Sequence, residues 1–235
     1  MFYPYGFYYD RTMILVLIGF AITMLAQANI QRAFNKYKKI QSKRQITGAQ
    51  AAQMVLDYNN YKDISIKRVR GSLSDYFNPL TKEVALSDES FTDSSIASLA
   101  VSLHEIGHVI QYKEGYIPLR IKSYIVPAVN LGSRLSFPIL LAGVFLSLPR
   151  LVSLGLILFA LTLAFQLITL PVEFNASKRA LAVLERTNIL LDSELEGARA
   201  MLKAAALTYV AATISTALQF LRLFLLFGNR SNRRD

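Results

Sequence analysis

Two histidines and a glutamate stand close together near the middle of the chain, in the order His104-Glu105-Ile106-Gly107-His108. Residues i and i+4 share one face of an α-helix, so both imidazoles can bind the same metal ion. Glu105 can then reach a water molecule bound to that ion. The spacing is typical of a zinc hydrolase. It predicts His104 and His108 as metal ligands and Glu105 as the general base.

The same pentapeptide could arise by chance, and a helical histidine is often an ordinary packed residue. The flanking sequence and the use of both histidines in this one motif favour the metal site. Asp93 can cap a helix that starts directly after it, and Gly115 with Pro118 can end that helix, which predicts a helix over about 94–112. The chain has no cysteine, so nitrogen and oxygen must hold the metal. We expect one Zn²⁺ per chain.

A catalytic zinc usually has three protein ligands and leaves its fourth position to water. Glu173 is the best candidate for the third ligand. It directly follows a long apolar run, where an acid is costly unless it is paired, bound to a metal or at the membrane surface. Pro171 would then lie in the first turn of a new helix. The alternative is an interfacial glutamate that is neutralised by Lys178 or Arg179.

Apolar helices are the elements that must position these residues, because 53% of the 235 residues are hydrophobic. The uncharged runs at 12–31, 151–172 and 204–221 are each near the length that a helix needs to cross a bilayer, and we expect the last helix to continue to 227. A shorter run at 135–149 can also cross if Arg134 and Arg150 reach the two membrane surfaces, and it would form a hairpin with 151–172. The sequence therefore predicts a mainly α, multi-pass membrane protein with about four transmembrane helices.

The charge distribution predicts the orientation of the chain. Six basic residues and no acid lie within 32–44, directly after the first apolar run, which places 32–125 and 173–203 in the cytoplasm. The C-terminus would then lie outside. Arg230, Arg233 and Arg234 argue against this placement, because the same rule puts basic residues on the cytoplasmic side. We expect the first apolar run to be an uncleaved anchor and not a signal peptide, because the positive charge follows the run instead of preceding it. We expect residues 32–44 to attract anionic lipid. We do not expect a nucleic-acid partner, because positive charge is the only feature of the sequence that would favour one.

A small polar region separates the basic run from the histidines. Thr47 can cap a helix that ends near Asn59, and alternating residues at 64–67 and 82–87 predict two short strands. With the helix at 94–112 these elements predict a small cytoplasmic α+β layer of the zincin-like type. An extended peptide could pair with an exposed strand edge near the metal, or the strands could serve only as a lid over the helix.

Several longer segments are together more specific than the metal motif. They are DYFNP at 75–79, HEIGHVIQ at 104–111, VPAVN at 126–130, LPVEFNAS at 170–177 and AALTYVAA at 205–212. In these segments the chain resembles the YugP-type membrane zinc metallopeptidases nearly end to end. The resemblance implies a membrane-embedded zinc metalloendopeptidase that acts on a peptide or a membrane protein, and it leaves the natural substrate open.

A wider resemblance links the chain to the HtpX and CAAX-endopeptidase class. That class places two membrane spans between the zinc helix and a Glu-x-x-Ala-Asp segment that supplies the third ligand. Glu173 and Ala176 match this segment, which also implies Glu173 as the ligand. Ser177 replaces the aspartate that orients a zinc-bound histidine in that class, so Ser177 or Asn175 would have to take over this role.

The oxyanion that forms during peptide hydrolysis needs a hydrogen-bond donor besides the metal. The sequence does not decide between four candidate donors, which are Tyr76, Asn130, Arg179 and Tyr209.

Two functions other than a zinc endopeptidase stay open. A site-2-type intramembrane protease uses the same histidine motif but takes its third ligand from a Leu-Asp-Gly segment, which the chain lacks. A non-catalytic membrane adaptor would hold a structural metal with a fourth protein ligand. The oligomeric state is open as well.

Overall fold

The computed structural model describes residues 10–228. Within that range the helices and strands are α1 (Met13–Tyr37), α2 (Gly48–Tyr58), β1 (Ser65–Val69), β2 (Tyr76–Asn78), β3 (Glu83–Ser87), α3 (Asp88–Thr92), α4 (Ile96–Lys113), α5 (Ile117–Phe145), α6 (Pro149–Thr187) and α7 (Asp192–Phe227). The helices α1, α5, α6 and α7 are long and apolar enough to cross a membrane. The predicted fold class, a mainly α multi-pass membrane protein with a small α+β part, is confirmed. Arg230, Arg233 and Arg234 lie outside the described residues.

The long helices extend beyond the apolar runs that predicted them. α5 already begins at Ile117, and the predicted span 135–149 overlaps only its C-terminal part. α6 continues without interruption through Pro171 to Thr187. Glu173 therefore lies inside α6 and not at the start of a new helix. A proline after an apolar run is typical of a helix start, but a long helix tolerates proline when its neighbours satisfy the freed backbone groups.

The described chain forms two compact units. The α+β unit consists of residues Ala26–Val126 and Phe165–Val210 and contains the sheet, α2, α3 and α4. The helical unit consists of the described residues up to Leu25, residues Pro127–Ala164 and the described residues from Ala211 onward. All four long helices contribute residues to both units.

The sheet of the α+β unit has the strand order β1-β3-β2, with β3 parallel to β1 and antiparallel to β2. Val84 and Leu86 of the central strand are fully buried. β2 lies within a stretch of turn-forming residues, and its three residues are too few for an alternating pattern to reveal them. The sheet and α2 pack with α4, whose apolar residues Leu99, Leu103 and Ile106 are fully buried.

Polar side chains fix the helix starts in the α+β unit. Thr47 and Gln50 form a reciprocal capping box at the start of α2, as the sequence pattern suggests. Ser95 caps α4 by accepting a hydrogen bond from the Ser98 backbone N–H. Asp93, the predicted cap, instead ends α3. Serine and aspartate are equally good caps, so the sequence alone does not choose between these positions.

The helical unit contains the hairpin of α5 and α6. Residues 146–148 form the turn, where Ser147 has a φ of +54°. Pro149 is the first residue of α6, a position that suits its fixed φ and missing N–H. Gly155 allows close packing, because a Cβ atom there would lie 2.7 Å from Leu140 Cβ.

Candidate metal centre

The imidazoles of His104 and His108 on α4 face the carboxylate of Glu173 on α6. Glu173 Oε2 lies 3.3 Å from His104 Nε2 and 3.5 Å from His108 Nε2. The ligand atoms of the three side chains all lie within 4.8 Å of one another. His108 and Glu173 are only 8% and 3% exposed. The structure thus brings together the three residues that the sequence predicts as ligands.

This donor set fits a zinc ion. Zinc takes imidazole nitrogen and carboxylate oxygen at about 2.0–2.2 Å, and the ligand atoms of such a tetrahedral site are about 3.3–3.5 Å apart. The two distances from Glu173 Oε2 to the histidine nitrogens, 3.3 and 3.5 Å, correspond to edges of that tetrahedron. Among residues 10–228, His104, His108 and Glu173 are the group of His, Cys, Asp or Glu side chains that could hold a metal ion. Three ligands leave a fourth position for water.

Glu105 lies on α4 directly after the first histidine and is 7% exposed. The pKa of its carboxyl is raised to about 7, chiefly by burial; His104 opposes the shift and the Glu173 carboxylate adds to it. The charges of these neighbours act on Glu105 because it lies close to the ligand cluster. A carboxylate with a raised pKa is the more effective proton acceptor near neutral pH.

Lys122 on α5 is a part of the centre that the sequence analysis missed. Its Nζ lies 2.7 Å from Glu173 Oε1. One carboxylate oxygen therefore faces the ammonium group and the other faces the histidines, so that Glu173 offers a single oxygen to a metal. A buried acid requires a cationic partner, and this rule could have prompted a search for a lysine near the predicted spans.

The outer nitrogens of both imidazoles also have partners. Ser177 Oγ lies 3.2 Å from His104 Nδ1. Gln111 Oε1 lies 2.9 Å from His108 Nδ1. Gln111 was also missed, although a glutamine on the apolar face of a helix, one turn after a candidate ligand, requires a buried partner. Hydrogen bonds of this kind orient metal-binding imidazoles.

The four candidate oxyanion donors lie in different places. The Tyr209 side chain interacts with the Glu173 carboxylate and so belongs to the centre. Arg179 is paired with Glu114 at 2.6 Å and donates to Asn175 at 2.7 Å. Tyr76 is an exposed residue on the edge strand β2, and Asn130 belongs to the helical unit.

Gly107 allows α4 and α6 to approach each other at the centre. A Cβ atom at this position would lie 2.3 Å from the backbone oxygen of Ala176, far inside van der Waals contact. The glycine between the two histidines thus lets the α4 backbone lie against the α6 backbone. Because Ala176 lies three residues after Glu173, this contact holds the carboxylate beside the imidazoles.

Comparison with known proteins relates most of the chain to zinc peptidases. A family model described as "Putative neutral zinc metallopeptidase" matches residues 12–228. The chain is 37% identical over 215 residues to the "Putative membrane protease YugP" of Bacillus subtilis (strain 168), which covers 92% of this chain and 96% of that protein. No solved structure matches the chain. These findings confirm the resemblance that the sequence segments indicated.

Proposed function

The chain belongs to the neutral zinc metallopeptidase family, and from this premise we propose that it is a membrane-bound zinc endopeptidase with His104, His108 and Glu173 as its metal ligands. The observation that carries the proposal is the convergence of these three side chains from α4 and α6. A bound zinc ion would lower the pKa of a water molecule and polarise the scissile carbonyl group.

The residues of the chain then divide the remaining work. Glu105 accepts the proton of the attacking water and passes it to the leaving amine. Its position next to a ligand and its burial near the centre support this role. Of the candidate donors, Tyr209 lies beside the ligand Glu173, and its hydroxyl would hydrogen-bond the oxyanion in place of that carboxylate. Arg179 instead directs Nε to Asn175 and Nη1 to Glu114.

We propose an extended peptide as the substrate. β2 is an edge strand, and Phe77 in this strand packs edge to face against Tyr112 of α4, with 5.7 Å between the ring centroids. The strand is thereby held against the helix that carries the histidines. A peptide that paired with β2 would run along this helix, and strand pairing would bind its backbone without regard to most side chains.

Zinc content and cleavage of unfolded casein by the detergent-purified full-length chain test the proposal. The parent should contain one zinc per chain and cleave casein. Glu105→Gln should keep the zinc and lose about 10²–10⁴-fold in rate, because the ligands remain and the base is lost. Glu173→Ala should lose both the zinc and the cleavage of casein. Glu185→Ala, an exposed acid on the same helix, is the matched control and should lose neither.

Other outcomes would support a different function. Full activity of Glu105→Gln, or a parent that takes up no zinc after reconstitution, would contradict the proposal. Zinc held without hydrolysis would favour the membrane adaptor. Against the adaptor, the cluster in residues 10–228 offers three ligands, whereas structural zinc sites usually have four.

A further inference from the structure

Gln111 makes three side-chain hydrogen bonds inside the protein. It lies one turn after His108 on α4, and its side chain is 0% exposed. Its Oε1 lies 2.9 Å from His108 Nδ1. Its Nε2 donates to the backbone oxygen of Val172 at 2.8 Å and to Asn175 Oδ1 at 2.9 Å. Both acceptors belong to α6, so Gln111 connects one candidate ligand to the helix that carries another.

The orientation of this amide is fixed by groups that have only one hydrogen-bonding role. A backbone carbonyl oxygen only accepts, so the NH₂ group of Gln111 must face Val172. Asn175 Oδ1 also accepts from Arg179 Nε at 2.7 Å, and a guanidinium group only donates. A flipped Gln111 would therefore place its oxygen against two acceptors, at the cost of buried polar groups without partners.

The fixed amide determines where His108 carries its proton. Gln111 Oε1 can only accept, so His108 Nδ1 must be the donor. A neutral His108 then has its lone pair on Nε2, the atom that lies 3.5 Å from Glu173 Oε2. Two acceptor atoms at this distance repel each other unless a cation lies between them. The hydrogen bonds behind His108 thus prepare it as a metal ligand.

We propose that Gln111 is a positioning residue that holds His108 as the Nδ1-protonated tautomer and directs Nε2 toward the metal, and that Asn175 and Arg179 lock Gln111 in this orientation. The inference rests on the proposed function, since it assumes a metal between the ligands. His104 differs, because its partner Ser177 is a hydroxyl that can donate or accept and therefore fixes no tautomer.

Nitrogen NMR of the histidine rings tests this directly, because the chain contains only two histidines. The spectrum is recorded on the full-length protein in detergent micelles, without metal and at alkaline pH, and His104→Gln assigns the two rings. His108 should carry its proton on Nδ1. Gln111→Leu should abolish this preference.

Zinc affinity, measured by competition with a chelator, is the second readout. Loss of an outer-shell partner typically weakens metal binding by about 10–100-fold, and we expect this for Gln111→Leu. Gln53→Leu, which removes an exposed amide that bonds Asp57 on α2, is the control and should change neither readout.

An Nε2-protonated His108 in the parent, or unchanged zinc affinity in Gln111→Leu, would overturn the inference. A parent that binds no zinc would overturn both the inference and the proposed peptidase. A parent that binds zinc with the expected tautomer and cleaves nothing would support the inference and remove only the peptidase. The parent spectrum alone decides the tautomer if Gln111→Leu fails to fold.

Discussion

The two oxygens of the Glu173 carboxylate have different partners. Oε2 faces the histidines at 3.3 and 3.5 Å, and Oε1 binds the Lys122 ammonium at 2.7 Å. A buried carboxylate is costly without a charged partner. Lys122 supplies that partner, so the site can fold before a metal binds. The same ion pair leaves one oxygen for the metal and favours coordination through that oxygen alone.

Removal of the acid should therefore have two separable effects. Glu173→Gln should abolish zinc binding. It should also leave the Lys122 ammonium without its partner and lower the free energy of unfolding by about 2 kcal/mol, which is less than the cost of breaking a fully buried pair. The double variant Glu173→Gln/Lys122→Met should recover the thermal stability but not the zinc. Thermal unfolding of the metal-free proteins and elemental analysis would check both effects. Equal unfolding temperatures for the single and double variants would contradict the role of Lys122.

Ser177 offers a gain-of-function test at the other histidine. Ser177→Asp would place a carboxylate near His104 Nδ1, where the hydroxyl now lies at 3.2 Å. A carboxylate partner makes the imidazole a stronger ligand, so zinc affinity should rise by about tenfold. Chelator competition would measure this, with Ser193→Asp, an exposed position on α7, as the control. Weaker binding would show that the site has no room for a carboxylate.

At the scale of elements, the contact of α4 with α6 decides whether the ligands meet. The two histidines share α4, so their spacing is set within one helix. The third ligand depends on how closely the α6 backbone approaches, and Gly107 permits that approach at Ala176. A larger residue at this position must move one helix relative to the other, because a packed backbone cannot yield by changing a rotamer.

Gly107→Ala should therefore lose zinc affinity as well as stability. The expected destabilisation is about 1–3 kcal/mol, the usual cost of an overpacked core. Gly155→Ala is the matched control, because its Cβ would lie 2.8 Å from the backbone nitrogen of Leu140 in the helical unit, which contains none of the metal ligands. Both variants should unfold at lower temperature, and only Gly107→Ala should bind zinc more weakly. Equal loss of zinc affinity in both would contradict a specific role of the α4–α6 contact.

At the scale of the whole molecule, residues 10–228 contain four helices that are long and apolar enough to cross a membrane, and the chain has a net charge of +10. The basic cluster at 32–44 belongs to the same α+β unit as the metal centre. Because positive residues favour the cytoplasmic side, we propose that this unit faces the cytoplasm and that residues 32–44 attract anionic lipid there.

The absence of cysteine in the sequence makes this orientation directly testable. Leu146→Cys places one thiol in the turn between α5 and α6, and Lys62→Cys places one in an exposed loop of the α+β unit. A maleimide that does not cross membranes should label Leu146→Cys in intact cells and Lys62→Cys only after permeabilisation. The opposite pattern would invert the proposed topology.

The sequence by itself determined the features that depend on neighbouring residues. The i, i+4 spacing put His104 and His108 on one face of a helix, and the length of the apolar runs indicated four long helices. Local patterns predicted helix starts less well where two positions were equally favourable. They placed the cap of α4 at Asp93 instead of Ser95, and they began a helix at Pro171 where α6 continues.

Only the tertiary structure decided which distant residues complete the centre. Glu173 lies 69 positions after His104, and its prediction depended on membrane energetics and a family resemblance. The sequence did not reveal the partners of Lys122 and Gln111, because their roles arise from contacts between α4, α5 and α6 that no local periodicity encodes. Helix propensity and hydropathy are properties of short segments, whereas a metal centre requires side chains from separate helices to meet within a few ångströms. The contact of Gly107 with Ala176 and the buried hydrogen bond from Gln111 to Val172 hold α4 and α6 at the distance that this requires.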